Sequence, residues 1–345
     1  MTRIGRRRLS HIDLLKLVAA NLIVLHHLAA YGPIADVLTT SVPGLISWLY
    51  DYARMAVQVF LVIGGYLAAR GLSPHGQRYA ESPLWLIAQR YRRLVLPYLA
   101  ALGLAVLAAL LARHWMHTDW IPAAPTAGQV LAHIVLLQGL LGVDSLSAGV
   151  WYVAIDFQLF ALLTLLHALG NRSANRAAAP RLVLLMVLAS LFYFNRDEQW
   201  DNWALYFFGA YGLGALVYWS TQLTHPAIRL AGLALVVIIA LAVDFRERIA
   251  LAVATALLLG IADWRGIPIP ALPPGLSAGL SHLGQRSYSL FLVHFPVCVL
   301  GNVLFFKLEI TTTAAATVAF AGCWLASLIA AHLFFRWVES PLNRR

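Results

Sequence analysis

Apolar runs of roughly helix-spanning length recur along almost the whole chain, broken by short polar or basic intervals. They predict ten helices, at about 12–31, 53–72, 94–113, 150–169, 181–195, 203–219, 227–243, 249–263, 287–306 and 314–337. Pro33, Pro97, Pro180, Pro226 and Pro341 fall near the ends of these runs, where a residue without an N–H is tolerated. The pattern predicts an all-α fold, a polytopic transmembrane helical bundle of about ten spans. The segment 129–142 does not fit this series. It is apolar but only about 14 residues long, which suits a re-entrant or interfacial helix better than a crossing. The broadest intervals outside the spans are 73–93, 114–149 and 264–286. Trp115 and Trp120 are candidate interface anchors in the second.

Composition supports the same class. A mean hydropathy of +0.74 and a hydrophobic share of 61% are too high for a soluble domain with a polar surface. Ten spans leave little of the 345 residues for a separate soluble domain, so 1–345 is expected to form a single integral-membrane domain. No small-x-small cleavage pattern follows the first run, and it is expected to be retained as a helix. Cys298 and Cys323 both lie in apolar runs and are too few for a disulfide scaffold or a zinc site. No metal and no tightly bound cofactor is expected.

The net charge of +10 does not point to nucleic acid once its distribution is considered. With the N-terminus placed in the cytoplasm, Arg3, Arg6, Arg7, Arg8, Arg70, Arg78, Arg90, Arg92, Arg93, Arg172, Arg176, Arg181, Arg229, Arg265, Arg286, Arg336, Arg344 and Arg345 fall inside. Only Arg54, Arg113, Arg196, Arg246, Arg248 and Lys307 fall outside. This positive-inside bias predicts both termini in the cytoplasm and loops that face anionic membrane lipid.

Ionisable side chains within lipid are costly and mark cavities, pathways or active sites. Lys16 sits at one end of the first helix, and His26-His27 follow well inside it. At a rise of about 1.5 Å per residue, His27 lies about 7 Å from the outer helix end. Gln58 and Asp156 come to the same depth on the second and fourth helices. A carboxylate beside an imidazole fixes its tautomer and raises its basicity, so His27 and Asp156 are a candidate base and its orienting acid. The alternative is a buried hydrogen bond between helices. His26 and His27 point about 100° apart, so only one can face a given cavity. His294 lies nearer mid-membrane, where Pro296 frees a carbonyl that His294 could help satisfy. Arg90 and Arg93 open the third helix and are candidate phosphate ligands, with lipid-headgroup anchoring as the alternative. Glu339 is expected to pair locally with Arg336 or Arg344 at the last helix end. The chain has no P-loop, Gly-x-Gly-x-x-Gly, His-Glu-x-x-His or Gly-x-Ser-x-Gly motif. Gly64-Gly65 permits close helix approach.

Taken in order, these residues resemble the acyltransferase-3 family of membrane-bound O-acetyltransferases. Asp13-Leu-Leu-Lys16 through His27 resembles its arginine, ten residues, histidine pattern, and Val57-Gln-Val-Phe-Leu-Val-Ile-Gly-Gly-Tyr66 resembles its second-helix motif. Arg90-x-x-Arg93 with Leu94 and Pro97 resembles R-x-x-R-L-x-P, and Val150-Trp-Tyr-Val-Ala-Ile-Asp-Phe-Gln158 resembles L-W-Y/F-L-x-x-E-x-Q. Tyr288-Ser-Leu-Phe-Leu-Val-His-Phe-Pro296 resembles Y-S-x-Y-L-x-H-x-P, and Glu339-Ser-Pro341 resembles the terminal E-x-P. Three positions depart from the pattern. Lys16 stands for the usual arginine, Gly64 for the usual serine and Asp156 for the usual glutamate.

The resemblance implies transfer of an acyl group, most often acetyl, from cytoplasmic acetyl-CoA to a hydroxyl of a glycan or lipid-linked acceptor such as a cell-surface polysaccharide. It also implies residence in a bacterial inner (plasma) membrane. In that reading His27 and Asp156 are catalytic, and Arg90, Arg93 and Lys16 bind the donor. His26, Gln58, Tyr152, Gln158 and His294 line the cavity. The competing readings are a transporter or exporter of a polar solute, disfavoured by the lack of inverted repeats, and a non-catalytic member of the family, suggested by the three departures.

Overall fold

The computed structural model describes residues 10–73, 81–173, 175, 177–267, 274–309 and 311–342. Every regular element among them is helical. We number the helices α1 (Ser10–Ala30), α2 (Pro33–Ser41), α3 (Pro43–Asp51), α4 (Val57–Leu72), α5 (Pro83–Arg113), α6 (Ala127–Ile134) and α7 (Val150–Asn171). They continue with α8 (Ala178–Phe192), α9 (Ala204–Thr221), α10 (Pro226–Val243), α11 (Glu247–Arg265), α12 (Pro274–Gln285), α13 (Ser287–Lys307) and α14 (Thr313–Phe334). α14 runs on through a π-helical turn, Phe335–Glu339, into a final short turn.

All ten expected helices are present. Eight described stretches are long and apolar enough to cross a membrane: His11–Ala30, Pro43–Leu72, Pro83–Arg113, Val150–Asn171, Ala178–Arg196, Pro226–Val243, Ser287–Lys307 and Thr313–Leu342. The other two expected spans form helices α9 and α11. α9 is buried on every face from Tyr206 to Trp219, which is the position of a helix enclosed by protein rather than by lipid. α10, by contrast, leaves most of its apolar surface uncovered, as a lipid-facing helix does. The segment 129–142 takes in the end of the eight-residue α6 and the turns that follow it, and the helix is far too short to cross. Thr126 and Gln129 cap it reciprocally. His133 secures the turns, its Nδ1 donating to the Gln129 carbonyl while Nε2 accepts from Leu146 N–H. Burial holds this imidazole below its usual pKa, in the neutral form that can accept.

Two boundaries differ from expectation. α5 begins at Pro83, not near 94, because Ser82-Pro83 starts the helix and the following residues continue it. Arg90 and Arg93 therefore lie within a 31-residue helix instead of at its opening. The interval 32–52 is not a loop. Two nine-residue helices fill it, each with a proline in its first turn. Of the basic residues in the orientation count, Arg3, Arg6, Arg7, Arg8, Arg78, Arg176, Arg344 and Arg345 lie outside the described residues.

The chain forms two compact units. The first comprises 1–15, 57–92 and 155–281, the second 16–56, 93–154 and 282–345. In the first, α4 and α9 pack backbone to backbone. A Cβ on Gly65 would lie 1.8 Å from the Tyr211 carbonyl oxygen, and one on Gly214 would lie 2.1 Å from that of Val62. Only glycine allows this approach, which is how apolar helices gain dispersion energy without a hydrophobic driving force. The second unit packs α13 against α14, with Gly301 directly facing Cys323. Both cysteines are buried and unbridged, as expected.

Candidate active site

In the second unit, the end of α1 is set by one side chain. Asn302 of α13 accepts from Ile34 N–H through Oδ1 (3.1 Å) and donates through Nδ2 to the carbonyls of Tyr31 (3.2 Å) and Cys298 (3.0 Å). Gly32 adopts φ +85°, and a Cβ there would lie 2.5 Å from Asn302, so the break between α1 and α2 needs glycine. One turn earlier on α1, His27 is buried. Its ring stacks on Tyr31 four residues on, with centroids 5.6 Å apart and planes within 7°. The His294 ring lies 4.9 Å from it, tilted by 39°. Phe295 adds an edge contact at 6.5 Å. Beyond Tyr31, a dry cluster of Ala108, Ala109, Ala112, Met116, Ile121, Phe295, Val299 and Val303 packs with Trp120 against it.

The two imidazoles differ in their commitments. His294 Nδ1 donates to the Leu290 carbonyl at 3.2 Å, which leaves Nε2 as the lone-pair nitrogen, buried and without a partner. This corrects the expectation that His294 satisfies the carbonyl freed by Pro296, which belongs to Leu292. His27 Nδ1 is likewise buried without a partner. His26, by contrast, donates Nδ1 to the Leu49 carbonyl of α3 at 3.2 Å and leans on Tyr50. The surroundings of His27 are aromatic instead of the polar cavity the sequence suggested. Tyr152 packs edge-on against Phe291 at 5.3 Å.

The same unit holds a charged group. The π-helical turn at 335–339 rotates Glu339 inward, where it is buried and accepts from Ser289 Oγ at 2.5 Å. The positive charges of Arg93 and Lys16 act on its carboxylate. Glu339 is therefore not paired locally with Arg336, and Arg344 lies outside the described residues. The same-helix neighbours that sequence spacing offered lose to a residue on α13, because the wide turn changes which face Glu339 presents. Tyr288 Oη donates to the Leu94 carbonyl at 3.0 Å, tying α13 to α5 beside Arg93.

In the first unit, Arg90 Nη2 donates to Asp156 Oδ2 at 2.6 Å, and its guanidinium lies 5.3 Å from the Phe160 ring centroid. The carboxylate side is the more buried, 8% exposed against 27% for Arg90. The expectation had put Arg90 at the inner face and Asp156 in the outer third. Counting from helix ends misplaces them because α5, at 31 residues or about 46 Å, is longer than a hydrocarbon core of about 30 Å. Gln58 is buried on α4. Gln158 Oε1 accepts from Ala204 N–H at 3.3 Å, anchoring the start of α9.

A family model described as an acyltransferase domain matches residues 9–332. The chain belongs to the acyltransferase-3 family. It is an integral-membrane acyltransferase, and comparison with curated proteins and with solved structures gives no match. One departure from the family pattern now has a physical reason. At Gly64 of this acyltransferase a Cβ would lie 2.9 Å from the Tyr211 ring and 3.3 Å from Asp156 Oδ1. The tyrosine of α9 occupies the room that a serine would need. Tyr211 escaped the sequence reading, since a tyrosine among glycines in an apolar run reads as packing. Its hydroxyl is buried without a partner beside the Arg90–Asp156 pair. Asn302 could have been found by the rule that flagged the histidines, as a polar residue deep in an apolar run.

Proposed function

We propose that this acyltransferase moves an acyl group, most often acetyl, from cytoplasmic acyl-CoA to a hydroxyl of a glycan or lipid-linked acceptor. The observation that carries the reading is His27, a buried imidazole with an uncommitted nitrogen, held one turn from a fixed helix break and flanked by a second imidazole of defined tautomer. A neutral imidazole with a free lone pair is what a general base requires. The acceptor hydroxyl gives its proton to His27, and its oxygen bonds to the thioester carbonyl carbon. The carbon–sulfur bond then breaks, and the departing thiolate recovers the proton from the imidazolium. In the variant route the imidazole carries the acyl group between donor and acceptor. Water exclusion by the cluster beyond Tyr31 would protect the thioester from hydrolysis.

Donor binding falls to Arg93 and Lys16. Arg93 is exposed, so its guanidinium is open to phosphate as well as to Glu339. Arg93→Ala should weaken acyl-CoA binding about 10-fold or more, the equivalent of one charge-assisted contact of roughly 1.5–3 kcal/mol. Arg90→Ala should weaken it less, because that guanidinium already serves Asp156. Titration calorimetry on purified protein checks both. Unchanged affinity in Arg93→Ala would return that residue to lipid anchoring. Thioester consumption with a panel of glycans tests the reaction itself, and no consumption with any acceptor would favour transport.

The positive-inside bias supports both termini in the cytoplasm, and the family resemblance supports a bacterial inner (plasma) membrane. Single cysteines at Ser145 and Ser173, both exposed and flanking α7, should label from opposite sides. Labelling from one side alone would rule out the ten-span order.

A further inference from the structure

The π-helical turn that sends Glu339 inward leaves Arg336 outward, and the outward face is concave. Arg286, His332, Phe335, Arg336, Ser340 and Pro341 line an open hollow of ≈ 480 Å³. His332 and Arg336 are four residues apart on α14 and its π-helical extension, and Arg286 approaches from the start of α13. The Arg286 guanidinium lies 5.6 Å from the Phe335 ring centroid, and its Nε is buried without a hydrogen-bond partner. Among the described residues, no acidic side chain lines the hollow. The carboxylate nearest in sequence, Glu339, is committed to Ser289 on the inner side.

Two guanidinium groups, an imidazole and a hydroxyl without a counter-anion make a site for a compact, multiply charged oxyanion. We infer that Arg286, His332, Arg336 and Ser340 form a second anion site, which binds the phosphate of an organic phosphate. Arginine suits this task because its planar fork meets two phosphate oxygens at once. Packing one guanidinium on an aromatic ring holds that fork in place at low entropic cost. Along the chain the site adjoins Glu339, whose carboxylate feels the charge of the proposed donor arginine, Arg93. Two phosphate sources share this chemistry. One is the nucleotide end of the acyl donor, which carries a phosphomonoester apart from its diphosphate, and that assignment rests on the donor reading above. The other is the headgroup of an anionic membrane lipid.

The test uses the full chain in nanodiscs, as wild type, Arg286→Gln, Arg336→Gln and the charge-keeping Arg336→Lys. Binding of coenzyme A and of 3′-dephospho-coenzyme A is measured by calorimetry, and retained anionic phospholipid is counted by native mass spectrometry. Melting temperatures confirm that the variants are folded. If the donor fills the site, wild type prefers coenzyme A by about 10-fold or more. Both glutamine variants then lose that preference without losing affinity for the dephospho form, and Arg336→Lys keeps part of it. If a lipid fills it, the preference is unchanged and the glutamine variants lose bound anionic lipid. Folded variants that change neither quantity overturn the phosphate site. If wild type binds no coenzyme A at all, the donor reading of the previous section fails, and the lipid count alone decides the site.

Discussion

His27→Ala abolishes acyl transfer, and His26→Ala retains much of it. The two residues are adjacent, so substitutions at either remove the same imidazole from the same turn of α1. What separates them is commitment. His26 Nδ1 is bonded to the Leu49 carbonyl, a tether between α1 and α3. His27 keeps a free nitrogen between Tyr31 and His294. Losing a general base costs about 10²–10⁴-fold, and losing an acyl carrier costs more, so residual turnover in His27→Ala should fall to background. Thioester release with purified variants of equal melting temperature makes the measurement. A His26→Ala variant that is dead while His27→Ala turns over would overturn the assignment.

Asp156→Ala is expected to destabilise the first unit by about 3 kcal/mol, toward the lower end for breaking a buried ion pair because Arg90 keeps partial solvent access. The cost comes from removing the buried carboxylate that this guanidinium, held 5.3 Å from the Phe160 ring centroid, bonds to. Arg90→Leu alone strands the carboxylate and should cost at least as much. The double replacement Arg90→Leu with Asp156→Leu should recover much of the loss, since both desolvation penalties vanish together. A thermal or chemical unfolding series on the four proteins gives the coupling. Additive losses would mean that the 2.6 Å contact contributes nothing as a pair. If Asp156→Asn also lowers turnover by about 10²-fold with donor affinity intact, its carboxylate has a role in the chemistry beyond holding Arg90.

The class of protein and its helices were legible because a bilayer makes one demand of every span, about twenty apolar residues with their backbone satisfied internally. That demand is local, and each of the ten expected helices appears. The ends were less legible. The length of α5 was missed because the residues before the apolar run, including Arg90, Arg92 and Arg93, are polar enough to read as a loop, yet nothing in them breaks a helix.

The candidate residues were likewise visible one by one, through the rule that ionisable groups within apolar runs are costly and need a reason. Lys16, His26, His27, Asp156 and His294 all follow from that rule alone, and the order of their motifs was sufficient to suggest the family. The sequence could not settle their partners. Helix depth, counted along the chain, carries no information on rotation about the axis, on tilt, or on which helix lies alongside. Arg90 was therefore separated from Asp156, although they are bonded, and Glu339 was given neighbours on its own helix instead of Ser289. Ser289, which bonds Glu339, is 50 residues away in sequence, and Arg90 and Asp156 are 66 apart. Helix formation is decided within the chain, whereas the commitments of its polar groups are decided by neighbours distant in sequence, which only the tertiary structure brings together.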